Sequence, residues 1–387
     1  MFDPDEIPGL KKAIIEQARS DKKLLDNLRG EVREFIGDVR TIKPRTVTAV
    51  SLVASDGGNN KLAFDPFFVQ LVRVMDSYGK QLCLDTVSPT TDTDELSKRQ
   101  FNDDGTPKTA LGKMIRGLGV NPPTLHNLSP MIPAGKQIRD NPDSVKPGWV
   151  MVYRDLCEWA VLYERICHDS FATDTLLVRD GLLRSKIFGK DFFIKWRKNV
   201  EEAIERHYRQ DKRKVYLVGL AKHSNVIARY NLAMAIENAF PPGEPRYVNI
   251  PRHLEERAYK WQEWARGMET EGAVQEQPKF VAGDMFLVRF GKQSGDPIWA
   301  VDVFSSQKQH APEIFGYLLN DAIEGFPVPF YPLCLQRAHE HAQIRDFDLE
   351  IFQDQIYEAV RHLLPQGKQE IIDSIRLRSD LASRRYE

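Results

Sequence analysis

The spacing of apolar residues along the chain changes period several times, and each change predicts an element. "TVTAVSLVAS" (46–55) is rich in Val, and "FFVQLVRVMDS" (67–77) and "KQLCLDTV" (80–87) alternate apolar with polar. β-Branched and aromatic residues at a period of two predict strands. The stretches between them, "DGGNNKLAFDP" and "SYG", are rich in turn formers, so the three runs predict an antiparallel meander.

Beyond residue 147 the rhythm becomes helix, strand, helix. A helix over 148–169 precedes a strand at 174–181, a charged helix at 190–210, a strand at 214–222 and a helix at 225–240. Helices alternating with short apolar runs predict parallel strands buried on both faces. A Trp-rich helix (254–268), the strand pair "KFVAGDMFLVRF" and "PIWAVDVF", and three further helices follow. The expected class is α/β: an antiparallel meander followed by parallel βα units in one mixed sheet, with helices added at both ends. Residues 1–44 read as an N-terminal helical arm, 45–345 as the core and 346–387 as C-terminal helices. The polar segment 88–147, rich in Pro, Gly, Asn and Asp, reads as an insertion rather than core, with a short helix at "TALGKMIRGLG".

Composition narrows the function classes only slightly. Lys plus Arg number 54 against 55 Asp plus Glu, so no global field marks nucleic acid or membrane as a partner, although a local groove is enough to bind DNA. Cys83, Cys157, Cys167 and Cys334 are scattered, without a CxxC pair, a pattern that suits a reducing compartment better than a zinc ribbon or a disulfide framework. The acidic, then amphipathic start is unlike a signal peptide, and no apolar run reaches the ~18 residues of a membrane span. A cytoplasmic protein without a membrane partner is expected.

Two apolar runs end alike, on Asp56-Gly57 and on Asp180-Gly181. Each pair could be a turn. Each could instead present a metal-binding carboxylate, because functional groups gather at the carboxyl ends of parallel strands. Asp56 and Asp180 then face each other if their strands are parallel neighbours. Mg²⁺ and Mn²⁺ prefer oxygen donors, and phosphoryl chemistry commonly uses a third acid. The helix before Asp180 offers Asp155, Glu158 and Glu164. With a rise of about 3.3 Å per strand residue against 1.5 Å per helical residue, Glu158 lies nearer the level of Asp180, and Glu164 reads as a solvated helix face. In "PVPFYPLCLQRAHEHAQI" (327–344), Tyr331 and Pro332 open a helix that carries His339. "HEHAQ" lacks the HExxH zinc spacing, and His339 alone reads as a packed or surface residue.

Taken in order, these motifs resemble the NurA family, nucleases that partner the HerA hexameric ATPase. The matching positions are Asp56-Gly57, Glu158 in "RDLCEW", Asp180-Gly181 in "VRDGLL", and Tyr331-Pro332 with Ala338-His339, spread over roughly 45–345. The chain departs from the family in following the first motif with Gly58-Asn59, where Ser is usual. The resemblance implies an RNase H-like sheet and metal-dependent hydrolysis of DNA phosphodiesters, in end processing or in defence against foreign DNA. It further implies Mn²⁺ or Mg²⁺, as two ions, held by Asp56, Glu158, Asp180 and His339. His339 would bind metal or move a proton, and Tyr331 would position the phosphate or pack on the strand. It also implies a homodimer and a HerA-type partner. The absence of a Walker A pattern agrees with a separate motor, since "RFGKQSG" lacks the upstream Gly.

DNA contacts are expected from Lys222, at the end of "YLVGLAK", and from Arg184, Lys186 and Lys190, just beyond Asp180. The aromatics Phe192, Phe193, Trp196 and Tyr208 of the following segment read as packed inward. Two other functions fit the pattern: a catalytically weak adaptor that clamps DNA for a HerA-type ATPase, and an unrelated α/β hydrolase acting on another phosphoester.

Overall fold

The computed structural model describes residues 6–46, 50–64, 67–259, 279–343 and 346–371. The expected helical stretch at 260–268 and the tail after 371 lie outside the described residues. Two N-terminal helices, α1 (Ile7–Ser20) and α2 (Lys22–Phe35), lead into β1 (Arg40–Thr41), β2 (Val50–Phe64), β3 (Phe67–Asp76) and β4 (Gln81–Val87). A helical layer follows: α3 (Thr93–Lys98), α4 (Ala110–Gly117), α5 (Leu125–Leu128), α6 (Gly135–Asp140) and α7 (Trp149–Cys167). Then come β5 (Asp174–Asp180), α8 (Phe192–Arg206), β6 (Val215–Ala221), α9 (Asn225–Ile236), β7 (Arg246–Asn249) and α10 (Arg252–Tyr259). The chain continues through β8 (Gly283–Arg289), β9 (Trp299–Phe304), α11 (Ala311–Ile323), α12 (Leu333–Ala342) and α13 (Asp346–Leu363).

The strands form one sheet in the order β1-β7-β8-β9-β6-β5-β2-β3-β4. β2 pairs antiparallel with β3, and β3 with β4, while β5 runs parallel to both β2 and β6. The meander β2-β3-β4, continued on the β2 side by the parallel strands β5 and β6, is the RNase H-like arrangement that the resemblance implied. β9, β8, β7 and β1 extend it through antiparallel pairs. The edge strand β1 went unread because two polar residues carry no period. All seven positions of β6 are buried, as a strand covered on both faces requires.

Because strand side chains alternate, β2, β5 and β6 divide their residues between two cores. Val53, Leu177 and Leu217 pack with α7 and α8 on one face. Leu52, Leu176, Val178, Val218 and Leu220 pack with α11 and α12 on the other. Phe192, Phe193 and Trp196 are buried in the first core as expected, with the Phe193 and Trp196 rings stacked at 5.6 Å, whereas Tyr208, expected with them, is exposed beyond the end of α8.

Two expectations need correction. Segment 88–147 is part of the core, since Leu96, Met114, Ile115, Leu125 and Leu128 are fully buried in the cluster that holds Tyr153 and Trp159 of α7. Its polar composition reflects short helices and caps, such as Thr109, whose side chain accepts the Gly112 N–H at 3.0 Å. Second, "DGGNN" is no turn. β2 runs on through it to Phe64, paired with β3 from Ser55 opposite Asp76 to Phe64 opposite Phe67. The parallel ladder with β5 stops at Ser55 opposite Arg179, and β3 supplies the backbone partners beyond that point. Among the described residues, no helix is long and apolar enough to cross a membrane.

Candidate metal centre

The register of β2 with β5, Ser55 opposite Arg179, sets the next residues, Asp56 and Asp180, side by side where the parallel ladder ends. Asp56 shares the strand face of Leu52, and Asp180 that of Leu176 and Val178, so both carboxylates turn toward α12. That helix brings His339 down onto β2, with Nδ1 2.6 Å from Asp56 Oδ2. One ligand atom each from Asp56, Asp180 and His339 lies within 4.8 Å of the others. The two carboxylates are only 14% and 18% exposed, and the imidazole is 47% exposed.

Two more residues brace this group. Tyr331, fully buried, donates its hydroxyl to Asp180 Oδ1 at 3.2 Å and packs edge-on against Trp299. Lys222, next after β6, places Nζ 3.4 Å from Asp180 Oδ2 and 5.0 Å from the centre of the Tyr331 ring. Burial raises the pKa of Asp180, the neighbouring Asp56 charge adds to the rise, and Lys222 and Tyr331 oppose it. Burial, with the Asp180 charge, also raises the Tyr331 phenol, so Tyr331 stays a proton donor at neutral pH.

Glu158 is not in this group. It lies at the height along β2 that the helical rise implies, but on the opposite face of the sheet. There its Oε1 would be 2.2 Å from a Cβ built on Gly57. Arg179 Nη2 reaches Glu158 Oε2 at 3.2 Å, and Arg154 Nε lies 3.3 Å from Oε1. Arg179 also bonds Asp155 at 2.7 Å and sits over the Trp159 ring. Burial pushes the Glu158 carboxyl up to about 7, helped by Asp155 and Asp56 and resisted by Arg179 and Arg154. Glu164 is farther off, paired with Lys113 at 2.6 Å.

The expected DNA contacts divide in the same way. The Arg184 side chain is buried, its guanidinium bonded to Asp302 and Glu255, which takes it out of reach of a phosphate. Lys186 and Lys190 are exposed, on a segment anchored to the α5 side of the sheet by Gly189 N–H donating to Leu128 O at 2.8 Å. Of the four, Lys222 alone contacts the carboxylate group. The sequence reading missed Gln343, whose amide lies 2.8 Å from His339 Nε2, although an i,i+4 pair on one helix was visible in principle.

Two carboxylates and an imidazole offer hard oxygen donors and one nitrogen, a set that suits Mn²⁺ or Mg²⁺ better than a thiophilic ion. A cleft of about 1110 Å³ opens elsewhere, between α3, α4 and α6, and none of these site residues lines it.

No protein-family model matches the chain, and no curated protein matches it. Among solved structures, it is similar to nucleases called NurA. The NurA nuclease from Sulfolobus solfataricus shares 14% identity at a TM-score of 0.43, covering 94% of this chain and 99% of its own. NurA bound to dAMP and manganese shares 11% at 0.43, covering 96% and 100%, and NurA with manganese shares 12% at 0.37, covering 94% and 99%. At these values, function rests on the geometry of this chain's own residues.

Proposed function

We propose that this chain is a metal-dependent nuclease that hydrolyses DNA phosphodiesters. The observation that carries the reading is the convergence of Asp56, Asp180 and His339 where the parallel ladder of β2 and β5 ends. Asp56 and Asp180 would hold a divalent cation, Mn²⁺ or Mg²⁺, and His339 would complete the donor set. When bound, such a cation supplies positive charge for a phosphate oxygen and makes a coordinated water acidic enough to attack. Lys222 carries a fixed positive charge beside Asp180, where it can neutralise a phosphate. Tyr331 fixes Asp180 through its hydroxyl and keeps water from the buried side of the carboxylate. The half-exposed imidazole favours a long substrate laid across the sheet end over a small one enclosed in a pocket.

A HerA-type ATPase as motor and a second copy of this chain are part of the proposal, and the order of sequence motifs supports both. The test is cleavage of end-labelled single- and double-stranded DNA with Mn²⁺, Mg²⁺ or EDTA, by wild type, Asp56→Ala and Asp180→Ala, alone and with the ATPase. Metal-dependent cutting that both variants lose is expected. Equal cutting by wild type and variants would sink the site, and no cutting under any condition would favour the DNA-clamping adaptor.

A further inference from the structure

His339 is held from both sides of its ring. Nδ1 lies 2.6 Å from Asp56 Oδ2, and Nε2 lies 2.8 Å from the Gln343 amide nitrogen. An ionised carboxylate only accepts hydrogen bonds, so Nδ1 carries the proton. Nε2 is then a bare acceptor and receives an amide N–H of Gln343. In this tautomer the ring turns no lone pair toward Asp56 and Asp180, and His339 cannot be a ligand through Nδ1. It becomes one when the proton leaves Nδ1 and Nε2 is protonated instead.

A proton on Nε2 needs an acceptor on that side, and metal-binding histidines commonly find one in a second, outer partner. A glutamine amide has donors at one end and an acceptor at the other, so half a turn of the same side chain serves either tautomer. Leu could serve neither, and an ionised Glu only one. Gln343 is also anchored: it caps α12, and its own N–H donates to His339 O at 3.0 Å.

We propose that Gln343 is the positioning residue that lets His339 take up the tautomer a cation needs. It donates to Nε2 in the cation-free site and accepts from Nε2–H when Nδ1 faces a cation held by Asp56 and Asp180. The proposal rests on the metal-binding reading above and assigns the orientation of its nitrogen ligand to a residue outside the ligand set.

Two readouts on full-length protein without DNA test it: ¹⁵N shifts of the His339 ring, and Mn²⁺ affinity by calorimetry. Gln343 is exposed, so Gln343→Leu and Gln343→Glu are expected to fold with unchanged Tm. Wild type without Mn²⁺ should show the Nδ1–H signature. Without Mn²⁺, Gln343→Leu should keep that signature, because Asp56 still accepts from Nδ1–H, but its Mn²⁺ binding should weaken roughly 10–100-fold. Gln343→Glu, an acceptor, should place a proton on Nε2 as well as on Nδ1 and hold Mn²⁺ better than Gln343→Leu does. Mn²⁺ affinity unchanged in Gln343→Leu, or no better in Gln343→Glu than in Gln343→Leu, would overturn the proposal. Failure of wild type to bind Mn²⁺ would instead reject the metal reading, while a ring left unprotonated at Nε2 in Gln343→Glu would reject the role given to residue 343.

Discussion

Gly57 and Glu158 share one space: a Cβ on Gly57 would lie 2.2 Å from Glu158 Oε1. The glycine lets α7 bring a carboxylate up to β2 directly behind Asp56. Gly57→Ala must therefore push Glu158 off its two arginines. The expected cost is about 1–3 kcal/mol of stability, as for other overpacked sites. Denaturant unfolding checks it, and in Gly57→Ala/Glu158→Ala the two effects should be non-additive. An alanine tolerated without loss would show that Glu158 moves freely.

Glu158 also makes stability depend on pH. Its carboxyl is pushed up to about 7 from an ordinary 4.5, chiefly by burial. Between these values the unfolded chain ionises the group while the folded chain keeps the proton. The folded state then binds more protons, so this group's contribution to stability falls as pH rises from about 4.5 to about 7. Glu158→Gln should flatten that part of a stability profile recorded by denaturant unfolding. A profile with the same slope in both proteins would contradict the assignment.

On the proposed reading, Lys222 should compete with the cation for Asp180. Replacing Lys222 by Met removes the ammonium 3.4 Å from Oδ2 but leaves a flexible apolar chain over the Tyr331 ring. DNA cleavage should fall by roughly 10²–10³-fold, the range for losing one preorganised charge-stabilising group, while Mn²⁺ affinity holds or tightens. A parallel loss of both would mean that Lys222 organises the ligands.

Arg184 should behave as a structural residue. Its guanidinium lies between Asp302 and Glu255, with Nε 2.8 Å from Asp302 Oδ2. Arg184→Ala leaves the buried Asp302 without its cation and Glu255 with Arg252 alone, and the expected loss is about 3–5 kcal/mol. DNA affinity of the folded variant, compared across a salt series, should match wild type. Weakened DNA binding at unchanged stability would restore Arg184 as a DNA contact.

These contrasts show what was legible in the chain before folding. Asp56 and Asp180 could be read because each closes an apolar run and parallel pairing lines up strand ends. The continuation of β2 past Asp56 could not, because Gly57, Gly58, Asn59 and Asn60 are turn formers until β3 pairs with them. Counting helical rise placed Glu158 at the right height, but height does not say which face of the sheet a helix covers. Arg184 looked exposed because Asp302, its partner, is 118 residues away. The buried layer at 88–147 was hidden by its caps and loops, whose polar residues outnumber the leucines and isoleucines they position.

The most direct measurement is anomalous diffraction at the manganese edge from crystals soaked in Mn²⁺. The account expects a peak bounded by Asp56, Asp180 and His339, on the α12 face of the sheet, and no such peak in Asp180→Asn crystals. A peak among Asp155, Glu158 and Arg179 on the opposite face, or no peak at the strand ends, would contradict it.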